Sequence, residues 1–167
     1  MKLIVSVDQR WGIGRQNNLL FSIREDMRFF KATTMGGTVI MGRKTLQSLP
    51  GGRPLPGREN FVLSLDPAFE TEGVRVFSSG EALLASLRGA DTSRVFVIGG
   101  AAIYHLLMDY CDTAYVTKVE ADGRAEVFLH SLDAQQNWEL CSCSAQHRQG
   151  ELTYRFCTYH NRAVRSI

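Results

Sequence analysis

Thr38-Val39-Ile40-Met41-Gly42-Arg43-Lys44-Thr45 carries an apolar, β-branched run into a glycine and then opens a helix with two cations and a hydroxyl. A strand-to-helix junction of this kind presents unpaired backbone N–H groups and the positive end of the helix dipole. Gly42 lets a ligand approach the backbone with no Cβ in the way. A second junction, Val95-Phe96-Val97-Ile98-Gly99-Gly100-Ala101-Ala102-Ile103-Tyr104, has the same form. Either one alone reads equally well as an ordinary turn, because such glycines also have structural uses. Together they suit a ligand with two phosphate groups well apart, and the pyrophosphate and 2′-phosphate of an NADP-type cofactor meet that description.

Outward from these junctions, strands and helices alternate. The patterning predicts strands at Lys2–Val7, Thr38–Met41, Asn60–Leu63, Val74–Phe77, Arg94–Ile98, Thr113–Glu120, Trp138–Cys143 and Leu152–His160. A helix from Arg24 to Thr34 reads as starting on a Ser22-x-x-Glu25 capping box and ending at Gly36-Gly37. The next follows Ser78, with Glu81 as its capping partner, Leu83, Leu84 and Leu87 as its apolar face, and Gly89 as its stop. A helix from Gly100 carries Ile103, Leu106 and Leu107. Gln149-Gly150 between the last two strands predicts an antiparallel hairpin. The fold class is therefore α/β: an eight-stranded, mostly parallel sheet ending in an antiparallel hairpin and flanked by about four helices. The basic tail Asn161–Ile167 reads as frayed.

Composition narrows the function classes. A chain of 167 residues predicts one domain spanning residues 1–167. Its net charge of +2 and scattered arginines argue against a nucleic-acid surface. Leu3-Ile4-Val5 is interrupted by Ser6 and Asp8, and no run approaches the ~20 apolar residues of a membrane span. The expectation is a soluble, cytoplasmic protein with no membrane partner. Cys111, Cys141, Cys143 and Cys157 lack C-x-x-C or zinc-ligand spacing and read as reduced packing residues, with Cys141 and Cys143 on one strand face.

Asp26 is the second anomaly. Ile23, Met27 and Phe30 form an apolar stripe at helical spacing, and Asp26 lies on its edge, four residues before Phe30. A carboxylate there should be partly desolvated, with its pKa raised, which suits it to bind or protonate a heterocycle. The alternative is a first-turn acid that complements the helix dipole, worth ~0.3–1 kcal/mol. Glu25 already holds the solvent-facing first-turn position. The long loop Asp8–Phe21, with Gly12-Ile13-Gly14 and the apolar tip Leu19-Leu20-Phe21, reads either as a lid or as a loop tucking its apolar residues into the core. Leu49-Pro50-Gly51-Gly52-Arg53-Pro54-Leu55-Pro56-Gly57-Arg58 is stiff and carries two arginines, the side chain best shaped to grip a carboxylate.

From Leu3 to Tyr159 these blocks stand in the order found in one family, and the chain resembles a bacterial dihydrofolate reductase. The motifs are Gly12-Ile13-Gly14; Asp26 with Phe29-Phe30-Lys31; Val39 to Thr45; Arg53-Pro54-Leu55-Pro56-Gly57-Arg58-Glu59-Asn60; and Val97 to Tyr104. The resemblance implies NADPH-dependent reduction of 7,8-dihydrofolate to tetrahydrofolate, supplying one-carbon units for thymidylate, purine and glycine synthesis. It implies a monomer, with an adenosine-binding subdomain at about residues 38–89. Asp26 would be the catalytic carboxylate at the pterin, bonded by Thr117. Ile4 and Ile98 would offer carbonyls to the pterin amino edge. Met27, Phe30, Leu49 and Leu55 would wall the substrate, and Arg58 would pair with its glutamate α-carboxylate near Arg53. On the cofactor side, Ser6 and Ile13 would meet the nicotinamide, Arg43, Lys44 and Ser64 the 2′-phosphate region, and Thr45 with Gly100, Ala101, Ala102 and Ile103 the pyrophosphate. Gly14, Leu19, Gly42, Leu63, Ile98, Gly99 and Tyr104 would complete the cofactor site, with a cis Gly99–Gly100 peptide. No metal is implied.

Three departures stand out. Leu20-Phe21 replaces the family's usual Pro-Trp, so no indole N–H is present to hold a water beside Asp26. Ala125-Glu126-Val127 replaces Gly-Asp-Thr and keeps only the charge, and Ala102 stands where an arginine is frequent. A reductase of another pteridine or pyrimidine, or a non-catalytic NADP-binding module, are the competing classes; Asp26 and Arg58 argue against the first, and the second would keep the Arg43 and Lys44 site but need no buried acid.

Overall fold

The computed structural model describes residues 1–167. In chain order the elements are β1 (Lys2–Val7), β2 (Gly12–Gly14), α1 (Arg24–Thr34), β3 (Thr38–Gly42), α2 (Arg43–Ser48), β4 (Glu59–Leu63), β5 (Arg75–Phe77), α3 (Gly80–Leu87), β6 (Val95–Gly99), α4 (Ala101–Leu107), β7 (Thr113–Val119), β8 (Val127–Phe128), β9 (Trp138–Cys143), β10 (His147–Gln149) and β11 (Leu152–Asn161). The main sheet runs β10-β11-β7-β1-β6-β3-β4-β5, with β9 also on β11. From β7 to β5 all pairs are parallel, and every pair made by β11 is antiparallel.

The parallel strands are buried on both faces, as their continuous apolar runs require. Leu3, Val5 and Val7 of β1 pack with Leu83, Leu87, Ile103 and Leu107 of α3 and α4. Ile4 joins Val39, Met41, Leu46 and Phe96 on the opposite face, against Phe29 and Phe30 of α1. Leu106 does not join the core and is 43% exposed. Ile103 and Leu107, four residues apart, occupy the inner face of the short α4, which leaves Leu106 turned away.

Several local expectations are corrected by tertiary contacts. The eight anticipated strands are present, but the turn at Gly150 (φ +60) joins β11 to the additional strand β10 rather than to β9. β11 is ten residues long, so its first half pairs with β10 and its second half with β9. No capping box starts α1: its N-cap is Ile23, with no side-chain cap. Gln149 does that work instead, its Oε1 accepting from Arg24 N at 2.8 Å and its Nε2 donating to Ser22 O at 2.9 Å. Glu25 is not simply solvent-facing, because it accepts from Tyr154 OH at 2.6 Å and lies 3.4 Å from His147 Nδ1. The cap of α3 is Ser79 rather than Ser78, its Oγ accepting from Ala82 N at 3.1 Å.

The cysteine reading also changes. The β9–β11 register places Cys143 opposite Cys157, and the two form a disulfide; Cys111 and Cys141 stay free. Between Ser142 and Leu140 the register slips, so Cys141 is the unpaired residue of a bulge. The C-terminal tail is tied down, with Asn161 buried and the backbone N–H groups of Arg162 and Arg165 bonded to Asn137 and Asp109. No helix is long and apolar enough to cross a membrane.

Candidate active site

Parallel neighbours end together, and Ser6, Gly42 to Thr45, Leu63, Ser64 and Gly99–Gly100 collect at those carboxyl ends, whereas the segment from Arg53 to Arg58 leads into the amino end of β4. Met41 faces Gly99, Gly42 faces Leu63, and Ser6 faces Thr117 across the sheet. In open α/β sheets this is where ligands bind. The two strand-to-helix junctions abut: a Cβ on Gly42 would lie 3.3 Å from Ile103 Cγ1, and one on Gly100 would lie 3.6 Å from Thr45 Oγ1. Neither α2 nor α4 has a side-chain N-cap, so backbone N–H groups at both starts remain for a ligand. The Gly99–Gly100 peptide is cis, and Gly99 has φ +119, a conformation that side chains rarely adopt. Ala101 is half-buried and Ala102 exposed, while the side chains of Ile103 and Tyr104 belong to the core.

Asp26 is half-buried and accepts a hydrogen bond from Thr117 Oγ1 at 2.6 Å, across 91 residues of sequence. Burial pushes its pKa above the ordinary carboxylate value; the Thr117 bond opposes this and the neighbouring Glu25 charge adds to it. Burial, reinforced by the Asp26 charge, also pushes the Tyr104 phenol upward. That phenol donates to Ile4 O at 2.7 Å, leaving the second lone pair of the carbonyl for another donor.

Phe30, Leu49, Leu55 and Ile98 line the adjoining apolar surface, packed against Val39, Met41 and Phe96. Met27 departs from the predicted stripe and is 54% exposed, whereas Ile23 is buried. Ile23 turns toward Val119 and Tyr154, which pulls the buried face of α1 away from Met27. Arg58 is held in place, its Nη1 donating to Thr34 Oγ1 at 3.1 Å and its Nε to Pro56 O at 3.0 Å. Partial burial lowers the pKa of the Arg58 guanidinium. Arg53 is exposed. Buried Asn60 grips both the N–H and the carbonyl of Leu55 at 2.9 Å, fixing the segment that carries Arg58.

The Asp8–Phe21 loop pairs with β8 and tucks part of its apolar tip against the body of the protein. β2 pairs with β8, and Glu126 N donates to Gly14 O at 2.9 Å, while Arg15 Nε lies 3.5 Å from Glu126 Oε1. Ile13 and Gly14 are half-buried, Leu20 and Phe21 lie against Gly123, and Leu19 is 70% exposed. At the tip, Asn17 Nδ2 donates to Lys44 O at 3.0 Å. The organiser is Asp8, which sequence reasoning missed: buried, it accepts from the N–H groups of Arg10, Gly12 and Gly123. Its only signal was an acid directly after a strand, a common turn-former. A Cβ on Gly12 would sit 2.3 Å from Ala125 Cβ and 2.9 Å from both Asp8 carboxylate oxygens. Gly12→Ala is therefore expected to destabilise the protein by ~1–3 kcal/mol in urea unfolding; an unchanged midpoint would show that this packing does not hold the loop.

Near the end of β4, Arg43 Nη1 lies 3.2 Å from Asp66 Oδ2, and its guanidinium carbon sits 5.9 Å from the Phe69 ring centroid. Ser64 is buried, its Oγ accepting from Asp66 N at 3.2 Å, and Leu63 is half-buried; Lys44 is exposed. The ends of β3, β4 and β6 thus carry two cations and two uncapped helix starts. At β7, Thr117 holds the half-buried carboxyl of α1.

Comparisons with known proteins agree with this arrangement. The family model described as "Dihydrofolate reductase" matches residues 1–161. The dihydrofolate reductase of Bacillus subtilis is 34% identical over 164 residues, covering 97% of this chain and 95% of the relative. That of Mycobacterium leprae is 38% identical over 156 residues, covering 89% and 90%. The solved structure of Enterococcus faecalis dihydrofolate reductase, complexed with NADP(H) and RAB-propyl, superposes with a TM-score of 0.84 at 30% identity and covers 96% of this chain and 95% of its own. With fold, motif order and whole-chain similarity in agreement, this chain belongs to the dihydrofolate reductase family.

Proposed function

We propose that this chain reduces 7,8-dihydrofolate to tetrahydrofolate with NADPH, and that Asp26 is its catalytic carboxyl. The observation that carries the reading is the half-buried Asp26 carboxyl, held by Thr117 and raised in pKa by burial at the carboxyl ends of β1 and β7. The residues present fit a dinucleotide: abutting glycine junctions, uncapped starts of α2 and α4, and the cations Arg43 and Lys44. When bound, NADPH supplies a hydride from its nicotinamide C4 to pterin C6.

The protein's own groups do the rest. Asp26 takes the pterin N3 and 2-amino edge, and its charge favours a proton at N5. The carbonyls of Ile4 and Ile98 flank the pterin amino edge, while Phe30, Leu49 and Leu55, with Met27 at the rim, exclude water from the ring. Arg58, preset by Thr34 and Pro56, pairs with the substrate α-carboxylate beside Arg53. Thr45 and the N–H groups after Gly100 hold the pyrophosphate, Arg43, Lys44 and Ser64 the 2′-phosphate, and Ser6, Ile13, Gly14 and Leu19 the nicotinamide end. Purified protein is expected to oxidise NADPH only when dihydrofolate is added, with tetrahydrofolate as product. Oxidation without dihydrofolate, or none with it, rejects the proposal. Arg58→Leu should raise KM for dihydrofolate by roughly 10–150-fold, the loss of one charge-assisted contact. The same variant assayed with dihydropteroate, which lacks the glutamate, should show no such penalty.

A further inference from the structure

Asp66 introduces an acid among the cations that the proposed function assigns to the cofactor 2′-phosphate. β3 and β4 are parallel neighbours with Gly42 facing Leu63, so Arg43 and Ser64 leave adjacent strand ends together and Asp66 follows at once. Asp66 Oδ2 lies 3.2 Å from Arg43 Nη1. The carboxylate is not free to swing away. Its Oδ1 accepts from Ala68 N at 3.0 Å, and the Asp66 N–H is anchored on Ser64 Oγ at 3.2 Å. Lys44, next to Arg43 in the chain, is exposed, Leu65, next to Asp66, is 88% exposed, and Ala102 brings no charge to the start of α4.

We propose that Asp66 is a cofactor-specificity residue, whose carboxylate weakens the preference for a 2′-phosphorylated nicotinamide dinucleotide over one with a free 2′-hydroxyl. The inference rests on the reading that Arg43 meets the 2′-phosphate. Asp66 acts against the phosphate in two ways: it neutralises Arg43 before binding, and once the phosphate takes Arg43 the tethered carboxylate remains as a like charge beside it. It acts for the hydroxyl in the opposite sense, since a carboxylate accepts a ribose 2′-OH while an arginine accommodates the phosphate. This chain holds both groups in contact, so its discrimination is a balance between them.

The test compares kcat/KM for NADPH and NADH in wild type, Asp66→Asn, Asp66→Ala and Arg43→Ala, at low and raised salt. Asparagine keeps an oxygen for Ala68 N, so the turn survives while the charge goes. The NADPH/NADH ratio is expected to rise about tenfold in Asp66→Asn, the scale of one charged contact, and the gain should shrink as salt rises. A purely structural role would move both cofactors together and show no salt dependence. Arg43→Ala should lower the ratio. If Arg43→Ala lowers the ratio but neither Asp66 variant raises it, the Asp66 proposal alone is overturned. If Arg43→Ala weakens both cofactors equally, the phosphate-site reading beneath it falls as well.

Discussion

Asp26→Asn is expected to slow hydride transfer at neutral pH by ~10²–10⁴-fold, the scale of a general acid–base group, while leaving the fold intact. The amide is nearly the shape of the carboxyl and can still accept from Thr117 Oγ1, so the pocket geometry is kept. It cannot carry the charge that favours a protonated pterin. Were Asp26 only a first-turn acid, its loss would shift stability by ~0.3–1 kcal/mol and leave turnover normal. The pH profile separates these outcomes further. Burial raises the Asp26 pKa, so the wild-type hydride step should slow as pH climbs through a raised apparent pKa that belongs to the enzyme–substrate complex. The asparagine variant should be worst near neutrality and recover in acid, where solvent protonates the substrate directly. Single-turnover measurements across pH decide the matter, and near-wild-type rates for Asp26→Asn at neutral pH would reject Asp26 as the catalytic carboxyl.

Reduction of the Cys143–Cys157 bond, or Cys143→Ser, is expected to lower stability by about 3 kcal/mol, the loop-entropy value for a closed loop of ~15 residues. The two cysteines are separated by 14 positions, so the bond closes the segment that includes β10 and the turn into β11. For a chain of this size each kcal/mol moves the melting midpoint by ~2–4 °C, giving a drop of roughly 6–12 °C. Cys141→Ser is the control, because Cys141 is exposed and unbonded. Denatured but unreduced protein should show the free thiols of Cys111 and Cys141 and no others. Four reactive thiols under those conditions, or a midpoint indifferent to reductant, would sink the prediction.

The fold was legible because its signals are local and repeated. Val39-Ile40-Met41 and Phe96-Val97-Ile98 are continuous apolar runs each closed by a glycine, which both faces of a parallel sheet demand. The misses share a cause. Ser22 and Ser78 had capping spacing, yet a side chain from the distant β10 took one role and the adjacent Ser79 the other. Met27 sat at helical spacing from Ile23 and Phe30, but which arc of α1 is buried depends on Val119 and Tyr154. Asp8 left little trace because its turn partners Arg10 and Gly12 look ordinary, and its distant partner Gly123 comes near only through the fold that pairs β2 with β8.

The sequence by itself determined the alternation of strands and helices, the two glycine junctions, the family motifs and the presence of an acid on the edge of an apolar helix face. These follow from steric and periodic rules acting over a few residues. Only the tertiary structure decided what surrounds each reactive group. Glu25 is taken by Tyr154, Asp66 meets Arg43, and Cys143 faces Cys157. Each of these depends on strand register and on which groups lose water together. An ion pair or a disulfide is a property of neighbours in space, and nearest-neighbour pattern along the chain does not encode it.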